Sequence, residues 1–106
     1  MPKYLIVANY TSDGVKGVLA AGGSARKAAV AGSVEKLGGS LECFYFGFGG
    51  DDAYVVVDLP DNVAAAAIAM QVGSSGMAST RTVMLLTTDD IDRAAKAPSV
   101  YQPPGS

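Results

Sequence analysis

Histidine is absent from this chain of 106 residues, and cysteine occurs only once, as Cys43. Because histidine is the usual general base near neutral pH and the commonest metal ligand, its absence excludes Ser-His-Asp and Cys-His catalytic arrangements. It also excludes His-ligated haem and the facial-triad iron site. Zinc would have to be held by one thiolate and carboxylates, an uncommon ligand set. We therefore expect no metal and no cofactor, and any catalytic acid or base would be Asp, Glu, Lys or Tyr.

Other scarcities narrow the location and the partners. A single cysteine forms no disulfide within the chain, which fits a reducing cytoplasm. No run approaches 18 apolar residues, and the first residues lack the pattern of a secretory signal. Eight basic and ten acidic side chains give a formal net charge of -2, so the chain lacks the basic face of a general nucleic-acid binder. We expect a cytoplasmic protein with no membrane or nucleic-acid partner.

Apolar residues, by contrast, are abundant. Hydrophobic types make up 49% of the chain and charged types only 17%, where a typical soluble domain has about 25% charged residues. A disordered chain would show the opposite balance. The length fits one domain. We predict a single domain with a core over residues 1–98 and a proline-rich tail over residues 99–106.

Two apolar segments around a glycine-rich turn are the clearest strands. They run from Leu41 to Phe48 and from Ala53 to Leu59, and the turn between them is Gly49-Gly50-Asp51-Asp52. The turn predicts that Phe48, Phe46 and Phe44 lie opposite Ala53, Val55 and Val57, respectively. One face, the core face, then holds Phe44, Phe46, Phe48, Val55, Val57 and Leu59. The other, mixed face holds Cys43, Tyr45, Gly47, Tyr54, Val56 and Asp58.

Helical spacing and capping residues predict the remaining elements. After a first strand over residues 3–10, a helix begins near Ser12, is interrupted at Gly22-Gly23, and resumes with Ser24 as its N-cap. In the resumed helix, Val30, Val34 and Leu37 fall on one face at helical spacing. A second helix begins at Asp61 or Asn62, a fourth strand covers residues 78–86, and Thr87 opens a short final helix. This order predicts an α+β, ferredoxin-like fold, with both main helices on one face of a four-stranded antiparallel sheet.

The second face of such a sheet must be solvated, covered by a partner or used for a ligand. Its predicted residues include Tyr45, Tyr54 and Val56, which are too apolar and aromatic to be left exposed to water. We therefore predict a homodimer, or a higher homo-oligomer, packed through the sheets.

Short segments along nearly the whole chain resemble the GYD-domain proteins, a small family in the dimeric α+β barrel superfamily. The matching segments are Pro2-Lys3-Tyr4-Leu5, Leu37-Gly38-Gly39, Phe46-Gly47-Phe48-Gly49 and Asp58-x-Pro60-Asp61, with Thr11, Gly14, Asp52, Gly76 and Thr82. In the namesake motif a glycine and a Tyr-Asp pair lie at the hairpin. Gly49 and Asp52 fit this motif, and Asp51 stands where the tyrosine is expected. The resemblance implies a dimeric α+β barrel but no particular reaction, because that superfamily includes monooxygenases, lactone isomerases, haem enzymes and amino-acid-sensing domains.

Candidate functional side chains come mainly from the strands. Asp58 and Arg81 interrupt apolar strands, and such a pair suits a ligand clamp or proton transfer, whereas the favoured alternative is a structural pairing of Asp58. The strand tyrosines suit stacking on a flat substrate, or packing in an interface. The candidate catalytic residues are Asp58 and Tyr54. The candidate ligand-binding residues are Tyr4, Asn9, Tyr45, Tyr54, Asp58 and Arg81.

Residues 22–27 place two glycines, a hydroxyl and two cations at the start of a helix. Backbone N–H groups at such a place can bind an anion, but the segment lacks the residue order of a nucleotide P-loop. A helix kink with a solvated basic patch is the favoured interpretation. Cys43 is interpreted as a small buried hydrophobe.

Three functions remain open. We favour a small-molecule-binding oligomer of unknown ligand, since the mixed sheet face carries aromatic and acidic residues without a strong catalytic set. The second is a cofactor-independent monooxygenase or isomerase acting on a flat acidic organic substrate. In that mechanism Arg81 holds the anion, Asp58 moves a proton and the tyrosines line the pocket. The third is a structural assembly module whose proline-rich tail straps a neighbouring subunit.

Overall fold

Four strands and four helices make up the chain in the computed structural model, which describes residues 1–105. The strands are β1 (Lys3–Tyr10), β2 (Ser40–Phe46), β3 (Ala53–Asp58) and β4 (Ala78–Leu85). The helices are α1 (Ser12–Ala21), α2 (Gly23–Lys36), α3 (Asn62–Ser74) and α4 (Thr88–Ala95). The sheet is antiparallel in the order β2-β3-β1-β4, which confirms the predicted ferredoxin-like α+β fold. Within the described residues, no helix is both long and apolar enough to span a membrane.

The first helical segment is capped and interrupted by identifiable residues. The Oγ1 of Thr11, one residue before the predicted start, accepts a hydrogen bond from the N–H of Gly14 at 3.2 Å and caps α1. Gly22 has a φ of 87°, in the left-handed region that favours glycine. It ends α1 and also occupies the N-cap position that was expected for Ser24. The predicted interruption at this point is confirmed.

Polar caps also begin the later helices. The side chain of Asp61 accepts a hydrogen bond from the N–H of Ala64 at 2.9 Å, which starts α3 as predicted. Thr87 and Asp90 form a reciprocal capping box at the start of α4. These caps could be predicted from the sequence because capping needs only a short polar side chain at the right position relative to the helix start.

The register of the β2–β3 hairpin differs by two residues from the predicted one. Phe46 lies opposite Ala53 and Phe44 lies opposite Val55. The predicted turn was too short, because β2 ends at Phe46 and the loop covers residues 47–52. Phe48 leaves the strand with a φ of 54°, a conformation that does not continue a strand. Since a shift of two residues preserves the alternation, the strand residues keep their predicted faces.

A β-bulge in the edge strand β2 adjusts its alternation. Leu41 lies opposite Val57 and Cys43 lies opposite Val56, which leaves Glu42 as the extra residue. The bulge turns Leu41 toward the helices, where it packs against the core.

The core lies between the sheet and the helices α2 and α3. Val34, Val57 and Leu59 are fully buried, and Val30 and Leu37 pack against the same cluster. The buried cluster comprises Tyr4, Ile6, Val34, Val55, Val57, Leu59, Ala64, Ala65 and Ile68. The predicted helical stripe of Val30, Val34 and Leu37 therefore faces the sheet.

The C-terminal segment projects from this core. Residues 86–105, here called the C-terminal arm, are all exposed except the half-buried Asp90. The radius of gyration is 16.8 Å and the longest extent is 57 Å, whereas a compact chain of 100 residues has a radius of about 13 Å. The arm contains α4 and most of the predicted tail, of which Ser106 lies outside the described residues.

Candidate functional site

The sheet face opposite the helices, here called the open face, carries an apolar band between two polar clusters. Strand registers place the band across all four strands. Its members are Leu5, Val7, Cys43, Tyr45, Tyr54, Val56 and Val83. Tyr45 is 69% exposed and Tyr54 and Val83 are each 38% exposed, whereas Val7 is buried. The apolar character predicted for this face is therefore present on the surface of the chain.

The first polar cluster, at one end of the band, is centred on Lys3. Its Nζ donates hydrogen bonds to Glu42 Oε2 and to Asp58 Oδ1, both at 3.0 Å. These bonds, first to Glu42 and then to Asp58, raise the pKa of Lys3 above its ordinary value. The bulge supplies Glu42 and strand pairing supplies Asp58, which lies opposite Lys3. Asp58 thus has the structural pairing that was the alternative to a catalytic role.

The second polar cluster is centred on Asp51 of the hairpin loop. Its Oδ1 accepts a hydrogen bond from Asn9 Nδ2 at 2.9 Å, and its Oδ2 accepts one from Arg81 Nη2 at 3.2 Å. The bond from Asn9, followed by that from Arg81, lowers the pKa of Asp51 below its ordinary value. The neighbouring Asp52 accepts a hydrogen bond from the backbone N–H of Tyr10 at 2.8 Å. The two aspartates therefore fasten the hairpin loop to β1 and β4.

The structure does not bring all six predicted ligand-binding residues together. Tyr4 lies on the helix side of the sheet, 3% exposed, and its Oη donates a hydrogen bond to Asn62 Oδ1 at 2.5 Å. The other five share the open face: Asn9, Tyr45, Tyr54, Asp58 and Arg81. None of the six lines either of the two cavities described below.

Asp58 and Arg81 do not form the predicted clamp. Asp58 lies opposite Lys3 and Arg81 lies opposite Val7, so four positions of β1 separate them, about 13 Å along the strand. Each also has its own ion-pair partner. The predicted proton-transfer and anion-holding groups therefore lie at opposite ends of the open face.

Two adjoining cavities lie on the helix side of the sheet. The first, here called the inner cavity, has a volume of about 100 Å³, lies between α2, α3 and the sheet, and is partly open; its walls are mainly aliphatic, with Ile6, Val30 and Ile68 among them. The second is a groove of about 360 Å³ along α1 and the start of α2, lined largely by glycine and alanine. Both cavities are lined by Tyr10, Arg26 and Ala29.

Arg26 is the cation at the boundary between these cavities. Its Nε is buried and has no hydrogen-bond partner among residues 1–105, and an unpaired buried N–H typically costs about 1–3 kcal/mol. The four ion pairs found in the same residues do not include Arg26. The expected solvated basic patch is thus divided, since Lys27 is exposed and Arg26 is half-buried beneath α2.

Sequence reasoning missed the inward position of Arg26, although a signal for it was present. Arg26 precedes Val30 by four residues and Val34 by eight, so it lies on the apolar stripe of α2. A polar residue on an apolar helical stripe points toward the core or a cavity. The predicted stripe began at Val30, and Arg26, one turn earlier, was expected to be solvated.

An aromatic row positions the start of α2 over the sheet. The rings of Phe46 and Phe48 stack with centroids 5.7 Å apart, and the Tyr10 ring lies 6.5 Å from each of them. A Cβ at Gly23 would lie 3.0 Å from the Phe46 ring. The absence of a side chain at Gly23 therefore lets α2 approach this row and places Arg26 beside Tyr10.

No group of three His, Cys, Asp or Glu side chains suited to a metal ion occurs within residues 1–105. Cys43 is a free, half-buried thiol in the apolar band. Among protein families, the model described as GYD domain matches residues 4–95, from the start of β1 to the end of α4. The search of curated proteins gave no significant match, and neither did the search of solved structures.

Proposed function

The chain belongs to the GYD domain family, and from that premise we propose that it is a cytoplasmic, homodimeric small-molecule-binding protein. Two copies pack through their open faces, and each copy binds its ligand in the helix-side cavities. The observation that carries the proposal is the pair of adjoining cavities on one face of a sheet whose other face exposes Tyr45, Tyr54 and Val83.

The composition of the open face supports the dimer. A central apolar band with polar ends is the usual arrangement of a protein interface, and tyrosines such as Tyr45 and Tyr54 are enriched there. Lys3 and Asp51 already have oppositely charged partners within the subunit. Covering the band therefore buries none of these charges without a counter-ion, which is the main energetic obstacle to burying a polar surface.

The chemistry of the cavities supports a small-molecule ligand. Ligand sites are concave, mostly apolar and equipped with a few polar groups that fix orientation. The inner cavity has mainly aliphatic walls, and its polar lining side chains are Tyr10, Arg26, Ser33 and Thr80. The proposed ligand site therefore lies on the helix side of the sheet, whereas the sequence favoured the face that bears Tyr45 and Tyr54.

Native mass spectrometry of gently purified protein tests both parts of the proposal. We expect a species of two chains, each of 10.7 kDa, that retains a small-molecule adduct. Gly17 lines the groove, and a Cβ built there meets no atom within 4 Å, so Gly17→Leu fills the groove without a clash at Cβ. We expect this variant to keep the dimer and lose the adduct.

Gly32→Leu is the matched control. Gly32 is also a helical glycine with open space around a built Cβ, but it lines neither cavity. An adduct retained by Gly17→Leu, or lost equally from both variants, would contradict binding that occupies the groove.

The C-terminal arm supports a second candidate function, structural assembly. Val100 and Tyr101 are 89% and 75% exposed, and α4 has no buried residue. An extended arm that exposes large apolar side chains gains stability when they pack on another chain. The monooxygenase or isomerase alternative has no such support, because Asp58 and Arg81 are separated and individually paired.

A further inference from the structure

We propose that the helix-side cavities bind an organic monocarboxylate, with its carboxylate on the guanidinium of Arg26 and its apolar tail in the inner cavity. This inference rests on the proposed function, since it names the ligand class of the same cavities. It is carried by Arg26, a half-buried cation that lines both an aliphatic cavity and a groove and belongs to none of the ion pairs found among residues 1–105.

The charge around Arg26 selects an anion. The other polar groups lining the inner cavity are the hydroxyls of Tyr10, Ser33 and Thr80, and none of them is a carboxylate that could pair with Arg26. Asp13 lines the groove but forms no ion pair with Arg26. A neutral ligand would leave the guanidinium uncompensated and a cationic ligand would be repelled, whereas an anion supplies the missing partner.

The guanidinium favours a carboxylate in particular. It offers two parallel N–H groups to the two oxygens of a carboxylate, and its two terminal nitrogens form such a pair. The start of α2 adds to the attraction, because it has no acidic residue in its first turn and no side-chain cap. Asp13 in the groove opposes ligands of higher negative charge, which favours one carboxylate over a dianion.

The walls of the inner cavity indicate the chemistry of the ligand beyond its carboxylate. Beyond Arg26 they are built from aliphatic side chains of α2, α3 and the sheet, including Val30, Val55 and Val72. Such walls favour an apolar tail over a second polar group, since a polar group would find few partners there. The small volume of about 100 Å³ favours a short tail over a long acyl chain.

A titration followed by two-dimensional ¹H–¹⁵N NMR tests the inference on the full chain. The probes are sodium hexanoate and 1-hexanol at constant ionic strength, since they share a short tail and differ in charge. We expect hexanoate to shift the amide signals of the cavity-lining residues in a saturable manner, and to bind at least tenfold more tightly than 1-hexanol. This comparison uses the wild-type protein, so it decides the charge preference without any variant.

Two variants, Arg26→Gln and Lys27→Gln, test whether Arg26 causes the preference for hexanoate over 1-hexanol. Both variants remove one positive charge from neighbouring positions of α2, but only Arg26 lines the cavities. We expect Arg26→Gln to weaken hexanoate binding at least tenfold, while Lys27→Gln stays within twofold of the wild type.

Equal binding of the two probes, or unchanged hexanoate affinity in Arg26→Gln, overturns the carboxylate assignment. So does the absence of binding by hexanoate. In each case the adduct measured by native mass spectrometry decides the proposed function separately. An adduct that Gly17→Leu removes keeps that function with a different ligand class, and the absence of any adduct contradicts both.

Discussion

The two faces of the sheet are built from the same strands but differ in whether their charged side chains have ion-pair partners. On the open face, Lys3 and Arg81 are each paired with carboxylates of the same subunit, while the apolar band between them stays uncovered. On the helix side, the aliphatic core is covered, while Arg26 is left without an ion pair among residues 1–105. Neutralised charge beside apolar surface suits a protein partner, and an unpaired cation beside a cavity suits a small anion.

The largest expected effect concerns the stability of the fold, which depends on the core between the sheet and the helices. Leu59 is fully buried under the helices, so Leu59→Ala should lower the free energy of unfolding by about 2–5 kcal/mol. Leu19 on α1 is 80% exposed, and Leu19→Ala should change it by less than about 0.5 kcal/mol. Urea denaturation followed by circular dichroism measures both. Similar losses in the two variants would contradict the assignment of the core.

A charge placed on the open face should separate the subunits without unfolding them. Val83 lies in the apolar band on β4 and is 38% exposed in the single chain. Val83→Glu would bury an uncompensated carboxylate in the proposed interface, which costs about 3 kcal/mol or more and raises the dissociation constant more than about a hundredfold. Analytical ultracentrifugation measures the change, with Leu19→Glu as the control outside the band. An unchanged dimer in Val83→Glu would place the interface elsewhere.

Removal of the tail tests whether a third surface, the C-terminal arm, contributes to assembly beside the open face. Deleting residues 99–106 removes the exposed Val100 and Tyr101. If the arm straps a neighbouring subunit, the loss of one such buried side chain, worth about 1.5–3 kcal/mol, weakens association about tenfold or more. Sedimentation velocity over a dilution series detects this change. Identical dissociation of the truncated and full chains would show that the open face alone accounts for assembly.

The smallest expected effect comes from the Asp51 cluster. Hydrogen bonds from Asn9 and Arg81 hold the pKa of Asp51 below its ordinary value of 3.8. A carboxyl whose pKa is lowered by folding stabilises the native state above its unfolded pKa, and this contribution is lost as pH falls through the lower folded value. The wild type should therefore melt at a higher temperature than Asp51→Asn at neutral pH, and the gap should narrow below about pH 4.

Thermal melts of both proteins at several pH values measure that gap. Asp89→Asn is the control, since Asp89 is exposed and belongs to none of the ion pairs among residues 1–105. A gap that widens on acidification would contradict the pairing of Asp51 with Asn9 and Arg81.

Most of the fold was predictable from the sequence because its signals are local. The caps at Asp61 and Thr87 and the interruption at Gly22 each depend on a few neighbouring residues. The hairpin register was not predictable to the same degree. Glycines at the turn allowed several loop lengths, and only the backbone turn at Phe48 fixes where the strand ends. The bulge at Glu42 likewise depends on pairing between strands.

The candidate site was less predictable, because it depends on which faces the side chains share. Alternation along β1 already separates Tyr4 from Asn9, since the two residues are five positions apart, and an odd offset places side chains on opposite faces of a strand. Grouping the strand tyrosines by type instead placed Tyr4 with residues of the opposite face. The partners of Asp58 and Arg81 come from other strands and a loop, so they follow from topology and not from the local sequence.

The most direct measurement is sedimentation equilibrium of the wild-type protein over a wide concentration range. The account predicts a species of twice the 10.7 kDa chain mass, dissociating to single chains only on strong dilution. A mass of one chain at every concentration would contradict the central claim that the open face of the sheet is covered by a second copy.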